Sequence, residues 1–288
     1  MNWLKYKKIY FSVSLILIVV SVFSLLKWGF ELGVDFKGGA VIEYKFEDSI
    51  STEELINKLA ESEIEIRAIQ ESGDNLYILK LGEVTKETKN DITKVVSSFS
   101  GEKFLETRFE TVGPSIGPEL IKKTIYAILV AAGVILVWVA IQFKDIKYGA
   151  SAILAMFHDT LILVGVFSLL GHFLKVEVDF LFVTALLTTL SFSVHDTIVV
   201  FDRIREIKKK SDDNLVDISN TALSETMIRS LNNSFTIIFM LVALVLLGGS
   251  TVKWFAVALL VGTVMGTYSS PFVAVPLLNV FFDRGKNK

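Results

Sequence analysis

Six blocks of this chain are long and apolar enough to cross a lipid bilayer, and they decide most of what it can fold into. A hydrocarbon core of about 30 Å takes roughly 20 apolar residues in a helix. The blocks at 9–30, 121–143, 149–171, 180–201, 231–249 and 254–280 meet that length. Charge avoids them: 9–30 holds only Lys27, and 125–143 holds none. The chain is 52% hydrophobic yet 21% charged, so charge is segregated rather than scarce. That excludes a single water-soluble globule, a disordered chain and a fibrous repeat. A net charge of -2 gives no electrostatic footprint for nucleic acid, and none is expected as a partner. The absence of cysteine excludes disulfides, thiolate metal sites and a Cys nucleophile.

The first block follows Lys5, Lys7 and Lys8, as a signal peptide would. Its apolar run is longer than the usual h-region and no A-x-A site follows, so an uncleaved helix is expected. Orientation follows from the short loops. With the N-terminus inside, the inner segments 1–8, 144–148, 202–230 and 281–288 carry 14 Lys and Arg, while the short outer loops carry only Lys175 and Lys253; the long segment 31–118 is left out, because large domains cross regardless of charge. Both termini are therefore expected in the cytoplasm, and 31–118 outside.

Residues 31–118 change character. Apolar runs shorten and charge becomes frequent. Strands are expected at 39–46, 63–70, 76–81 and 103–112, helices from Ser51 and over 85–99, and a hairpin turn at Ser72-Gly73-Asp74-Asn75. The order βαββαβ is that of the ferredoxin-like split βαβ fold. No catalytic constellation is visible in it. Two glycine-bearing motifs flank it: Gly33-Val34-Asp35-Phe36-Lys37-Gly38-Gly39, and Val112-Gly113-Pro114-Ser115-Ile116-Gly117. The first lacks the strand-before, helix-after context and the Lys-Ser/Thr of a phosphate loop. Both read as shaped joints between a membrane helix and a rigid domain, with Gly33, Asp35, Gly38, Gly39, Gly113 and Gly117 as the shaping residues.

Ionisable groups inside spans are costly and mark pathways or buried pairs. Two His-Asp dipeptides occur, His158-Asp159 in the third span and His195-Asp196 in the fourth. Thr189, Ser193, Asp196 and Arg203 share one helical face, which must point at other helices or at water. Arg229 opens the fifth span at a matching depth. These residues suit a proton or cation relay built on Asp196, with Arg229 nearby and with His195 and Asp159 as further members. A guanidinium close to a carboxylate favours its charged form, so movement of the arginine switches protonation. In the sixth span Gly262 and Gly266 form a GxxxG packing face beside Thr263, Thr267 and Ser270. A metal-dependent hydrolase is disfavoured: there is no HExxH, and the third histidine, His172, lies near the outer surface. No metal, cofactor or enzymatic activity is expected.

Several motifs together resemble the SecF branch of the SecD/SecF protein-export family, within the resistance–nodulation–division superfamily. They are GVDFKGG at 33–39, VGPSIG at 112–117, MFHD at 156–159, HDTIVVFDRIRE at 195–206, TMIRS at 226–230 and Leu247-Gly248-Gly249. The resemblance implies a multi-pass protein of the inner or plasma membrane, in contact with lipid. It implies partnership with a SecD-like subunit, the SecYEG channel and a translocating preprotein. It further implies that a proton or sodium gradient drives late steps of export, with Asp196 in the ion path, Arg229 as its arginine, and Asp202 and Arg203 in a cytoplasmic segment. Relatives more usually carry Asn before the aspartate. His195 departs from that, which leaves the coupling ion open. Six helices with an exposed polar stripe are half a transporter core. No second copy lies in these residues, so a separate SecD-like chain is expected. The alternative is a half-unit of a small-molecule or lipid exporter of the same superfamily.

Overall fold

The computed structural model describes residues 1–60, 66–71, 75–100, 103–113 and 116–286. It divides into two compact units, Leu32–Ile125 and Met1–Glu31 with Tyr126–Lys288.

The first unit is built on a four-stranded sheet of β1 (Gly39–Phe46), β2 (Ile66–Glu71), β3 (Leu76–Leu81) and β4 (Phe104–Val112). The spatial order is β2-β3-β1-β4 and every neighbouring pair is antiparallel. Helices α3 (Thr52–Ala60) and α4 (Lys86–Ser100) complete the ferredoxin-like order. Alternation explains the core. Tyr77, Leu79 and Leu81 point inward from β3 and meet Ile42 and Tyr44 of β1, Leu55 and Leu59 of α3, and Ile92 and Val96 of α4. The helices begin where side-chain caps exist: Ser51 accepts from the Glu54 N–H, and Thr85 from the Thr88 N–H. β1 is one of the two inner strands and is buried on both faces. Its Glu43 is buried and meets Arg108 of β4 at 3.4 Å. Glu110, then Glu43, raise the hold of the Arg108 guanidinium on its proton above the ordinary arginine value. The register slips by one residue against β4 at Glu43/Tyr44, a bulge. Residues 63–65 of the expected second strand and Ser72, Gly73 and Asp74 of the expected turn lie outside the described residues.

The second unit is helical: α1 (Lys7–Trp28), α5 (Ile116–Phe143, of which Tyr126 onward belongs here), α6 (Ile146–Leu174), α7 (Phe180–Lys208), α8 (Leu215–Leu247), α9 (Ser250–Ser269) and α10 (Val275–Lys286). A short helix α2 (Val34–Lys37) belongs to the first unit. Among the described residues, six helical segments are long and apolar enough to cross a membrane, α9 and α10 together making one of them. The protein is a multi-pass membrane protein. Its bundle turns polarity inside out. On α1, Ser14, Ser21 and Ser24 are buried while Leu15, Ile16 and Leu26 are exposed, as expected where lipid, not water, surrounds the helix. Half of the apolar window is buried in α6, in α7 and in the α9–α10 segment, against 11% in α5 and in α8. The first three therefore form the inner layer.

Two features of the bundle differ from the sequence expectation. The segment 202–230 is mostly helix rather than loop: α7 runs on to Lys208 and α8 starts at Leu215. Apolar length marks how much helix lipid can cover, not where the helix stops. Here Arg203–Glu206 and Glu206–Lys210 pairs, at i,i+3 and i,i+4, carry α7 further, and Asn214 caps α8 through the Asp217 N–H. The block 254–280 is also not one regular helix. A π turn, Ser270–Ala274, interrupts it at Pro271, because proline brings no N–H and crowds the preceding turn.

A Cβ on Gly165 of α6 would collide with Ser21 of α1, whereas one on Gly133 of α5 meets nothing within 4 Å. Gly165→Ala should therefore lower stability by about 1–3 kcal/mol, while Gly133→Ala should raise it by up to about 1 kcal/mol. Thermal unfolding in detergent reads both, and equal melting points would rule out the close α1–α6 contact.

Candidate functional site

The two intramembrane aspartates sit in different surroundings. Asp159, at the middle of the 29-residue α6, is 5% exposed. Its Oδ1 lies 2.9 Å from Nδ1 of the neighbouring His158. Its Oδ2 accepts from Ser193 of α7 at 2.6 Å and from Ser269, the last residue of α9, at 2.5 Å. His158 Nε2 is buried without a hydrogen-bond partner, and the ring stacks loosely on Tyr268 at 6.3 Å.

Asp196, on α7, is 9% exposed. Its Oδ2 accepts from Ser230 of α8 at 3.1 Å; Ser234 follows one turn on. A cavity of about 20 Å³ opens beside it, lined by His195, Asn233, Ser234, Thr263, Thr267 and apolar neighbours. That is room for about one water. Thr267 donates to Ser234 at 2.8 Å and thereby ties α9 to the same edge. On the other side of Asp196, Thr197 meets Ser270 of the π turn at 3.0 Å.

The GxxxG face does what small residues do in membranes. Gly262 lies against Thr189 and Gly266 against the Ser193 backbone, so α9 and α7 approach closely. Ser193 and Asp196 on α7, Ser269 and Ser270 at the end of α9, and Asp159 on α6 are thereby drawn into one polar seam.

Not every expected site residue joins it. His195 is exposed on α7, although it borders the cavity. Arg229 is exposed on α8; within this chain its neighbour Ser230, and not Arg229, contacts Asp196. Asp202 and Arg203 lie near the C-terminal end of α7. Asp202 pairs with Arg205 at 2.8 Å, and Arg205 donates to the Gln142 carbonyl at the end of α5. Arg203 bridges Glu206 and, on α8, Glu225, each at 2.5 Å. Among the described residues, no group of three or more His, Asp or Glu is placed to hold a metal ion. The serines at 193, 230 and 269 were not singled out together from sequence. Ser193 was visible as part of the α7 stripe, but Ser230 and Ser269 belong to other helices, and only packing brings them in.

The joint motifs sit in the first unit. Val34–Lys37 forms the single turn α2, and Gly38 and Gly39 follow with φ of +74° and +124°, angles that side chains resist. Arg67 donates to the Gly38 carbonyl at 2.7 Å. A Cβ on Gly117 would strike the Phe36 backbone, while one on Gly113 would touch only Ile116 at 3.9 Å. Gly33 has an ordinary φ of -73°. Asp35 lies within the α2 turn. Pro114 and Ser115 lie outside the described residues.

A helical bundle with an inserted ferredoxin-like unit and carboxylates buried in its polar seam defines a polytopic membrane protein of the transport class. Residues 91–284 match the model of "Protein export membrane protein SecD/SecF, C-terminal", and 23–50 match the "SecD/SecF GG Motif". The chain belongs to the SecD/SecF family. It is 38% identical to protein translocase subunit SecF of Thermobaculum terrenum, over 95% of this chain and 92% of that protein. It is 33% identical to the SecF subunit of Anaerolinea thermophila, over 99% of this chain and 95% of that one. Among solved structures, it superposes on the crystal structure of SecDF from Thermus, described as a translocon-associated membrane protein. The TM-score is 0.87 at 32% identity, covering 99% of this chain. The chain spans 39% of the length of that SecDF protein.

The Gly262–Thr189 contact makes a testable pair. Gly262→Ala should destabilise by about 1–3 kcal/mol, and the further change Thr189→Gly, which removes the Cβ as well as the Cγ2 that the new methyl would strike, should restore part of the loss. A double-mutant cycle on detergent unfolding measures the coupling; additivity of the two changes would exclude the contact.

Proposed function

We propose that this chain acts as a SecF-like accessory subunit of a Sec protein translocase, working with a SecD-like subunit and a SecYEG-type channel on preproteins in transit. The driving force is the transmembrane proton or sodium gradient, and Asp196 is the group through which ions pass. The observation that carries this reading is the setting of Asp196: a carboxylate inside the bundle, held by Ser230, beside a one-water cavity. Family membership supplies the export context.

The surface around Asp196 supports a second helical bundle. His195, Thr188 and Ser191 of α7 and Arg229, Asn232 and Asn233 of α8 are all exposed on helices that otherwise present apolar residues. Lipid does not solvate such groups. A SecD-like partner seated there would cover them. Arg229 then faces the joint between the bundles, next to the serine that holds Asp196. A shift of α8 or of its partner would bring the guanidinium toward the carboxylate and favour its charged form. Withdrawal would let it take up a proton.

The membrane is the plasma or inner membrane, with both termini in the cytoplasm and residues 31–118 on the outer face. The Lys and Arg bias supports that orientation. The work is transport rather than catalysis.

Replacing Asp196 with Asn in a strain depleted of its own copy should slow preprotein processing by about tenfold at unchanged membrane levels of the variant. Normal processing at normal levels would overturn the ion-path role.

A further inference from the structure

The bundle contains two buried carboxylates, and they are not equivalent. Asp159 is held by three hydrogen bonds. Both of its oxygens are engaged, by His158 and by hydroxyls from two other helical segments. Its neighbours are chosen with equal economy: Ser193 lies three residues before Asp196, and Ser269 lies immediately before the π turn. The turn's first residue, Ser270, contacts Thr197, the residue after Asp196, at 3.0 Å and donates to the Ser193 carbonyl at 3.3 Å. The hydrogen bonds of Asp159 thus fix the α7 segment that carries Asp196 against the irregular turn of the last span.

We infer that Asp159 is a positioning residue: it sets the register between α7 and the π turn, and through that register the placement of Asp196, rather than carrying the ion itself. This rests on the export reading above. His158 fits the role. With Nδ1–H donating to Asp159, the buried and unpartnered Nε2 is a bare acceptor, which costs less to bury unpaired than an N–H bound to nothing. A side chain in that state orients the carboxylate and has no onward partner for a proton.

The distinction is testable because Asn keeps the shape of Asp and an oxygen for both serines but loses the charge, whereas Ala loses every contact. The chain has no cysteine, so a Thr197→Cys, Ser270→Cys pair reports the register by oxidative cross-linking in intact membranes. Asp159→Asn, Asp159→Ala and Asp196→Asn are compared for preprotein export, membrane level and cross-linking in that background. Positioning requires that Asp159→Asn retain at least about half of wild-type export and its cross-linking, while Asp159→Ala loses cross-linking and slows export by about tenfold. Asp159→Asn as inactive as Asp196→Asn, with cross-linking intact, would show that Asp159 carries charge and would overturn the inference. So would wild-type export by Asp159→Ala. Where Asp159→Ala fails to accumulate, the double variant Ser193→Ala, Ser269→Ala decides: it removes only two hydroxyls and should reproduce both losses, and wild-type behaviour overturns the inference. Normal export by Asp196→Asn would remove the export reading but leave the cross-linking comparison standing.

Discussion

A carboxylate at the middle of an apolar bundle has no water to turn to, and the helical unit is arranged around that fact. Asp159 takes hydrogen bonds from its own helix, from α7 and from the end of α9. Those segments form the inner layer of the bundle. Lipid tails are as apolar as leucine, so little is gained by hiding leucine from them. What remains to hold helices together is close contact and hydrogen bonding between them. The bundle uses both. Ser24 donates to Ser168 at 2.7 Å, and Ser168 to the Gly29 carbonyl, while Gly165, Gly262 and Gly266 let backbones approach.

The unit at 32–125 follows the opposite rule in the same chain. There Ile42, Tyr44, Leu79 and Leu81 are inside, and most charged residues face outward. Among the described residues its one buried acid, Glu43, is answered by Arg108 across the bulge. Hydrophobic burial drives this unit, whereas directional contacts specify the bundle. A substitution from serine to leucine would harm the inner faces of α6 and α7 and be tolerated at the exposed Ser98 of α4. The reverse exchange would be worst at Leu79.

This contrast explains what could be read from sequence. β1 and β3 were legible to the residue, because alternation and turn residues bound them on both sides. The spans were legible as apolar blocks, but their helices were not: charge ends the apolar block at Phe201, and nothing there ends the helix. The π turn left a signal in Pro271 that block-counting passes over. In the polar seam, Asp159 and Asp196 stood out because charge is rare in lipid. Their serine partners did not, because serine is common on helices and only tertiary packing selects which serines matter. Arg229 shows the limit from the other side. Its charge and depth matched Asp196, yet within this chain a helix turn of about 100° separates it from Ser230, which makes the contact.

The two aspartates then differ in a way that bears on mechanism. A group that holds its surroundings in place benefits from having every hydrogen-bonding position filled, since each partner restrains it. A group that must gain and lose an ion needs the reverse: loose partners, a place for water, and a nearby charge that can come and go. Asp159 stands nearer the first, with three hydrogen bonds engaging both of its oxygens. Asp196 meets the second, with a longer bond from Ser230, a cavity for one water and an arginine on the adjacent exposed face. Its exposed polar neighbours complete the contrast, because the inner faces of α6, α7 and α9 pair Asp159, Ser193 and Ser269 with one another, while His195, Arg229, Asn232 and Asn233 lie on the exposed face. The proposed second bundle answers the same physics that makes the first one hold together: the polar groups around Asp196 must be met by protein or water, and lipid supplies neither.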